Sequence, residues 1–211
     1  MNLYFSPLAC SMASRIVFYE AGAEADFTQV DNKSKTLPDG SDFHAINPLG
    51  QVPALRTDDG ALLTENAAIL PFIADCFPQA ELAPTTRSEH ARMEQWLGFV
   101  GTELHKAVFT PLLDPKAPEE VRAYARDKVA KRFDVLQNHF ASHEFLLDRF
   151  SVADAYLFVV LNWTAFVGIS LAQWPNVDAY FKRLAARSSI ARALGEEMHL
   201  YGQERLKRAK A

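Results

Sequence analysis

The order of the first elements is decided by residues 2–30, NLYFSPLACSMASRIVFYEAGAEADFTQV. The opening NLYF is a short apolar run that predicts a strand, and the Ser-Pro pair after it ends that strand. Apolar residues then recur at helical spacing from residue 11 to residue 21, and Gly22 is a typical helix stop. The closing FTQV predicts a second strand. The stretch is therefore a βαβ unit, whose two strands should lie parallel.

A unit of two strands and a helix follows. Asp58-Asp59-Gly60 is a turn signal between residues 52–56 and residues 61–63, which predicts an antiparallel hairpin. A helix from about Asn66 to Cys76 comes next. The order βαβ, then ββα, predicts a small mixed sheet covered by helices.

Beyond residue 86 the pattern is that of helices alone. Apolar residues such as Met93 and Leu97 recur at helical spacing, without the alternation of a strand. Within this part, Ser151 and Asp154 form a capping box, which predicts the start of a buried helix. The sequence therefore predicts an α+β domain over residues 1–77, a linker over 78–86 and an all-α domain over 87–211.

The composition excludes several classes of protein. The formal net charge of -4 provides no basic face for nucleic acid. The chain has neither an apolar run of about 18 residues nor a basic segment before a long apolar run at its start, so we predict no membrane span and no signal peptide. Two cysteines favour a reducing compartment, and we expect a cytoplasmic protein. The six histidines lack ligand spacing, so no metal is expected.

Cys10 is the first residue that can carry chemistry. It stands between the first strand and the first helix, where unpaired amides and the helix dipole favour an anion such as a thiolate. A buried, inert cysteine is the alternative at this position. The run Cys10-Ser11-Met12-Ala13 has no second cysteine, so an internal disulfide is excluded here and a redox cycle would need an external thiol.

A peptide-like edge and a charged clamp are predicted further along the chain. Gln51-Val52-Pro53 enters a strand, and a cis bond before Pro53 would turn the Val52 amide and carbonyl toward an extended peptide. Glu65 can hold an ammonium, and Asn66 or the amides around it can hold a carboxylate. A plain turn and ordinary helix capping are the alternatives. Taken together, these features describe a receptor for a thiol peptide with a zwitterionic end, and glutathione has those parts.

Over nearly its whole length the sequence resembles the bacterial beta-class glutathione transferases. As an ordered set, the motifs that carry this resemblance are highly specific. They are Leu3-Tyr4 with Pro7, Cys10-Ser11, Asn47-Pro48 with Gly50-Gln51-Val52-Pro53-Ala54-Leu55, Leu63-Thr64-Glu65, Ala74-Asp75, Glu103-Leu104-His105-Lys106 and Ser151-Val152-Ala153-Asp154-Ala155-Tyr156. The resemblance implies the cytosolic glutathione transferase fold, with a thioredoxin-like N-terminal domain that binds glutathione and an all-α C-terminal domain.

The resemblance also implies roles for particular residues. It implies a cis Pro53, pairing of Val52 with the cysteinyl part of glutathione, and a γ-glutamyl clamp at Glu65 and Asn66. Lys35 would reach the glycyl carboxylate. From the helical domain, and partly across a homodimer interface, the site would be approached by Thr102, Glu103 and His105, with a catalytic hydrogen bond from His105. Trp163 would line the acceptor pocket.

The function that this resemblance implies is conjugation of the glutathione thiolate to small hydrophobic electrophiles, a detoxification reaction in which glutathione is the cosubstrate. Two alternatives stay open. One is a thiol transferase or peroxidase that works through a mixed disulfide at Cys10, and the other is a non-catalytic binder of apolar molecules. The chain departs from the family pattern at Leu8 (usually glycine), Asn66 (usually small), Pro71 and Gly98 (usually asparagine), and no glutathione contact is expected from Gly98.

Overall fold

A four-stranded sheet forms the centre of the N-terminal part in the computed structural model, which describes residues 1–210. Its strand order is β2-β1-β3-β4. The central strand β1 pairs in parallel with β2, where Leu3 lies opposite Phe27, and antiparallel with β3, where Leu3 lies opposite Leu55. Strand β4 closes the hairpin with β3. The strands span Asn2–Phe5 (β1), Asp26–Gln29 (β2), Ala54–Arg56 (β3) and Leu62–Thr64 (β4).

Two helices of this part were predicted from sequence, and the structure confirms both. Helix α1 spans Met12–Glu20 and helix α2 spans Asn66–Cys76. Gly22 follows α1 with a φ of +61°, a conformation that glycine adopts without steric cost. The α2 helix is assigned as continuous through Pro71. The fully buried side chains of these strands and helices include Leu3, Ile16, Phe18, Leu55 and Ile69.

The second part is entirely helical. A long helical stretch consists of α3 (Arg87–Gly98), a π-helical segment (Phe99–Phe109) and α4 (Thr110–Leu113). The remaining helices are α5 (Glu119–Asp127), α6 (Val129–His139), α7 (Val152–Asn162), α8 (Thr164–Val167) and α9 (Pro175–Ala185). None of the helices within residues 1–210 has the length and apolar character needed to cross a membrane.

The predicted capping box is present at the start of α7, the most buried helix of this part. The Ser151 N–H donates to Asp154 Oδ2 over 2.9 Å. The other oxygen, Oδ1, accepts from the Leu146 N–H and from the Tyr180 hydroxyl, each over 2.9 Å. Burial raises the pKa of Asp154 to about 6, while these donors act in the opposite direction. Asp154 therefore joins three segments of the helical part.

The division of the chain differs from the prediction at its C-terminal end. The structure forms one compact unit from residues 1–82 with 187–210 and a second from residues 83–186, whereas the sequence predicts a helical domain over 87–211. The reason is the last helix, α10 (Ser188–Lys210), which packs against α1. Helical periodicity shows that α10 has an apolar face but not which core buries it. Ala211, the end of the predicted domain, lies outside the described residues.

Candidate active site

Cys10 lies in the turn before α1, next to the strand entrance that was predicted to hold a peptide. Its thiol donates to the Val52 carbonyl oxygen, with Sγ 3.2 Å away. The Val52–Pro53 bond is cis, as predicted. Cys10 is half-buried. The described geometry therefore joins the thiol and the peptide-like edge into one site.

The amides that follow Cys10 were expected to favour a thiolate at this position. Two of them are paired within the turn, because the Met12 N–H donates to the Ala9 carbonyl over 3.0 Å and the Ala13 N–H to the Cys10 carbonyl over 3.2 Å. The thiolate itself stays a prediction.

The loop that carries Cys10 is held by its own serines. The Ser6 N–H donates to Ser11 Oγ, and the Ser11 hydroxyl donates back to the Ser6 carbonyl, each over 3.3 Å. Between them, Leu8 is buried with a φ of +60°. A left-handed conformation is unusual for leucine and easy for glycine, which explains why a glycine is expected at this position.

Asn66 adjoins Cys10 but directs its side chain inward. The residue is buried, its Nδ2 donates to the Cys10 carbonyl over 3.0 Å, and its Oδ1 accepts from the Ser14 hydroxyl over 3.4 Å. Its side chain therefore braces the Cys10 loop against the start of α2. The main-chain N–H groups of the first turn are the ones that a ligand can use, because the start of a helix has no intrahelical acceptor for them.

Glu65 precedes Asn66 in a strained backbone conformation. Its φ is +69° and its ψ is 128°, and its side chain is exposed. The Glu65 carbonyl accepts from the N–H groups of Ala68 and Ile69, which fixes the start of α2. Strained residues of this kind cluster at ligand sites, since the surrounding structure must hold them in place.

The other two predicted glutathione contacts of this unit are tied to their own loops. The Gln51 carbonyl accepts from Asn47 Nδ2 over 2.7 Å. Lys35 has a φ of +59°, and its Nζ donates to Asn32 Oδ1 over 2.6 Å. Partial burial lowers the pKa of Lys35, and Asp31 opposes that shift. Gln51 directly precedes Val52 in the chain, whereas Lys35 is bonded to a residue outside the Cys10 cluster.

His105 and Trp163, both predicted from the resemblance, come together in the helical unit. Their ring centroids are 4.8 Å apart. His105 Nδ1 also lies 2.7 Å from the Tyr156 hydroxyl, a partner that sequence reasoning missed although Tyr156 ends one of the recognised motifs. Burial, with a smaller contribution from Lys106, lowers the pKa of His105 to about 4. The imidazole is therefore neutral at physiological pH.

Thr102 and Glu103 share the π-helical segment with His105 but bond elsewhere. The Thr102 hydroxyl donates to the Gly98 carbonyl over 2.9 Å. Glu103 forms an ion pair with Arg132, with Oε2 and NH2 2.6 Å apart. π-Helical turns are rare and frequent at functional sites. No sequence signal separated this segment from an α-helix. Among the residues that the structure describes, no cluster of three or more potential metal ligands occurs.

Comparison with known families matches both parts of the chain. The family model described as "Glutathione S-transferase, N-terminal domain" matches residues 9–76. The model described as "Glutathione S-transferase, C-terminal domain" matches residues 102–188. Together they include Cys10, Val52, Glu65 and His105, and the second model ends where α10 begins.

Known proteins of similar sequence and structure agree with these matches. Glutathione S-transferase GstA of Escherichia coli O157:H7 is 39% identical, over 93% of this chain and 98% of that protein. A solved sphingomonad glutathione S-transferase complexed with glutathione is 40% identical, with a TM-score of 0.89 over 93% of this chain and 98% of the other. The beta-class enzyme of Sphingomonas chungbukensis is 43% identical, with a TM-score of 0.88 over the same shares.

Proposed function

Because the chain belongs to the glutathione S-transferase family, a class of transferases, we propose that it conjugates the thiol of glutathione to small hydrophobic electrophiles. Glutathione is the cosubstrate, and the enzyme is of the beta class. The observation that carries the proposal is the Cys10–Val52 pair at the cis Pro53. It supports a site in which a peptide thiol meets a free main-chain edge.

The proposed binding mode follows from the groups around that pair. An extended tripeptide that adds to the Val52 main chain as a short strand brings its central residue next to Cys10. Its γ-glutamyl end then faces the first turn of α2, where Glu65 binds the ammonium and the amides near Asn66 bind the carboxylate. When glutathione binds, its cysteinyl residue takes the place of Cys10 as the partner of the Val52 main chain. The hydrogen bond between Cys10 and Val52 therefore opens on binding.

Further roles are proposed from the resemblance. Gln51 flanks the main-chain edge, and Lys35 leaves Asn32 to bind the glycyl carboxylate. Residues of the helical unit complete the set, with Thr102 and Glu103 as polar contacts, His105 as the catalytic hydrogen-bonding group and Trp163 as a wall of the acceptor pocket. We propose a cytoplasmic homodimer with a role in detoxification.

A modest change in free energy is enough to convert most of the thiol to thiolate. Lowering a thiol pKa from about 8.5 to about 6.5 raises the thiolate from a few per cent to most of the population at neutral pH. Two pKa units correspond to about 3 kcal/mol. Positioning the sulfur beside the electrophile supplies much of the remaining acceleration. A buried neutral His105 suits this role, because it can share a proton without adding a charge.

A second candidate, thiol transfer, is favoured by the half-buried Cys10 beside the Val52 edge. In that reaction the Cys10 thiolate attacks the glutathione sulfur of a mixed disulfide between glutathione and a substrate thiol, a Cys10–glutathione disulfide forms, and the substrate leaves as its thiolate. Reduced glutathione then attacks the Cys10–glutathione disulfide, oxidised glutathione leaves, and the Cys10 thiolate is regenerated. The reaction needs no second protein cysteine.

One experiment separates the two candidates. The protein is incubated with oxidised glutathione and weighed by mass spectrometry, and conjugation of chlorodinitrobenzene is assayed in parallel. Cys10→Ala is compared with Cys76→Ala, which removes the exposed cysteine at the end of α2. Conjugation without an adduct supports simple transfer, and one adduct per chain that is lost only in Cys10→Ala supports thiol transfer. Absence of both activities and of calorimetric glutathione binding contradicts the proposed function.

A further inference from the structure

A carboxylate on the last helix reaches the loop that carries Cys10. Glu197 lies on α10 and is fully buried. Its Oε2 accepts the Leu8 N–H over 2.7 Å, although 189 residues separate the two along the chain. Leu8 precedes Cys10 by two residues, so this bond acts on the part of the loop nearest the thiol.

Arg15 lies beside Glu197 on the side away from Leu8. Arg15 is also buried, and its Nε lies 3.1 Å from Glu197 Oε1, at an angle too poor for a hydrogen bond. The guanidinium carbon stands 4.1 Å from the ring centre of Phe5 and 4.3 Å from that of Phe27. Burial raises the pKa of Glu197 to about 8, and Arg15 and the Leu8 N–H oppose that shift. Both ionised and protonated forms keep an oxygen that can accept from Leu8.

Leu8 is the residue of the loop that needs such support. Its φ of +60° is unfavourable for a side chain with a Cβ, so the loop holds this turn only where surrounding contacts require it. The contacts that hold it include burial of the leucine side chain and the bond to Glu197. On the other side, Asn66 fixes the Cys10 carbonyl. The thiol is thus positioned between a clamp from α2 and a clamp from α10.

A buried ion pair alone would not suggest this role. Such pairs contribute little net stability compared with apolar residues of similar volume. Apolar packing between α1 and α10 would serve the core equally well, but it would leave the Leu8 N–H without its acceptor.

We propose that Glu197 is a positioning residue for Cys10, which holds the Leu8 turn and thereby sets the thiol against the Val52 carbonyl. The expected effect on glutathione binding rests on the proposed function. The expected effects on the Leu8 turn and on the reactivity of Cys10 do not.

The test uses Glu197→Met in a Cys76→Ala background, so that Cys10 is the only thiol. Methionine has a similar size and shape but no acceptor. We expect hydrogen exchange of the Leu8 amide to accelerate about tenfold or more, and alkylation of Cys10 by iodoacetamide to accelerate about fivefold, because the thiol is released from Val52. We also expect the KM for glutathione to rise more than kcat falls.

The conservative and control variants distinguish positioning from general stability. Glu197→Gln keeps an acceptor oxygen but no charge, so it should restore both rates to within about twofold of the parent. Glu196→Met changes the adjacent carboxylate, which also pairs with Arg15, with Oε2 and NH1 3.0 Å apart. We expect it to leave both rates within about twofold of the parent.

Unchanged Leu8 exchange and Cys10 alkylation in a folded Glu197→Met protein would overturn the proposal. If that variant is insoluble, Glu197→Asp withdraws the carboxylate by one methylene and retains its charge, and it must still accelerate Leu8 exchange. Failure of the proposed function would give a different result. Wild-type protein would then not bind glutathione, while Glu197→Met would still accelerate Leu8 exchange and Cys10 alkylation.

Discussion

At the scale of the single residue, the candidate site depends on hydrogen bonds that residue type alone does not specify. Cys10, Glu65 and Asn66 were recognised from their positions beside a strand and two helix starts. The direction of each side chain was not predicted, because it depends on hydrogen-bonding partners that are distant in sequence. Asn66 illustrates this, since its amide bonds to Cys10 and Ser14 instead of facing outward.

We expect Asn66→Ala to lower the free energy of unfolding by about 1–3 kcal/mol, because the buried Ser14 hydroxyl loses its acceptor and the Cys10 carbonyl keeps the Ala13 N–H but loses the Asn66 donor. Chemical denaturation of the purified protein measures the change. Asn138→Ala, on an exposed helical position, is the control and should change stability by less than about 0.5 kcal/mol. Equal effects of the two substitutions would show that the Asn66 contacts contribute nothing.

His105 gives a prediction about pH. Its pKa is lowered to about 4 from 6.5, so the folded state resists protonation. The stability that this provides is fully present above pH 6.5, and it is lost as the pH falls through 6.5 toward 4, because the unfolded chain binds the proton first. NMR titration of the His105 ring should show it neutral down to about pH 5. A midpoint near the ordinary value would contradict the described burial.

At the scale of the element, local patterns predicted the strands, the hairpin turn and helices α1 and α2 within one or two residues. The apolar period and the turn residues lie inside each element, so the sequence suffices. The π-helical segment was missed, because a widened turn keeps nearly the same apolar spacing as an α-helix.

Gly98 ends α3 with an ordinary helical φ, and a Cβ added there would meet nothing within 4 Å. We therefore expect Gly98→Ala to raise stability by about 0.5–1 kcal/mol through helix propensity. Gly60 has equally open space but a φ of +85°, so Gly60→Ala should lower stability by about 1 kcal/mol. Thermal unfolding of both variants measures the contrast, and changes of the same sign would refute it.

Asp154 joins α7 to the preceding loop and to α9. We expect Asp154→Ala to cost about 3 kcal/mol or more, because two buried N–H groups and the Tyr180 hydroxyl lose their acceptor. Asp178→Ala removes a carboxylate of α9 whose ion pair with Lys182 is exposed, and it should cost less than about 1 kcal/mol. Denaturant midpoints of the two variants measure these changes. Comparable losses of stability in both would contradict the proposed importance of the capping box.

At the scale of the whole molecule, the sequence predicted the two-part architecture and grouped residues 188–210 with the helical part, whereas the structure groups them with residues 1–82. The helical pattern of residues 188–210 is clear, whereas its packing against α1, which includes the ion pair between Glu197 and Arg15, is a long-range property. The family motifs identified the chemistry of both units, because they combine a thiol, a main-chain edge and a helix start in one order. The clamp on Leu8 had no signal in the sequence, as a glutamate on a long helix usually faces solvent.

We propose that glutathione lies along the Val52 edge with its sulfur at Cys10, and the decisive measurement is a crystal structure with glutathione. We expect main-chain hydrogen bonds between Val52 and the cysteinyl residue, the ligand sulfur beside Cys10 Sγ, and the γ-glutamyl group at the start of α2. Glutathione bound elsewhere, or an empty groove with Cys10 still bonded to Val52 at saturating glutathione, would contradict it.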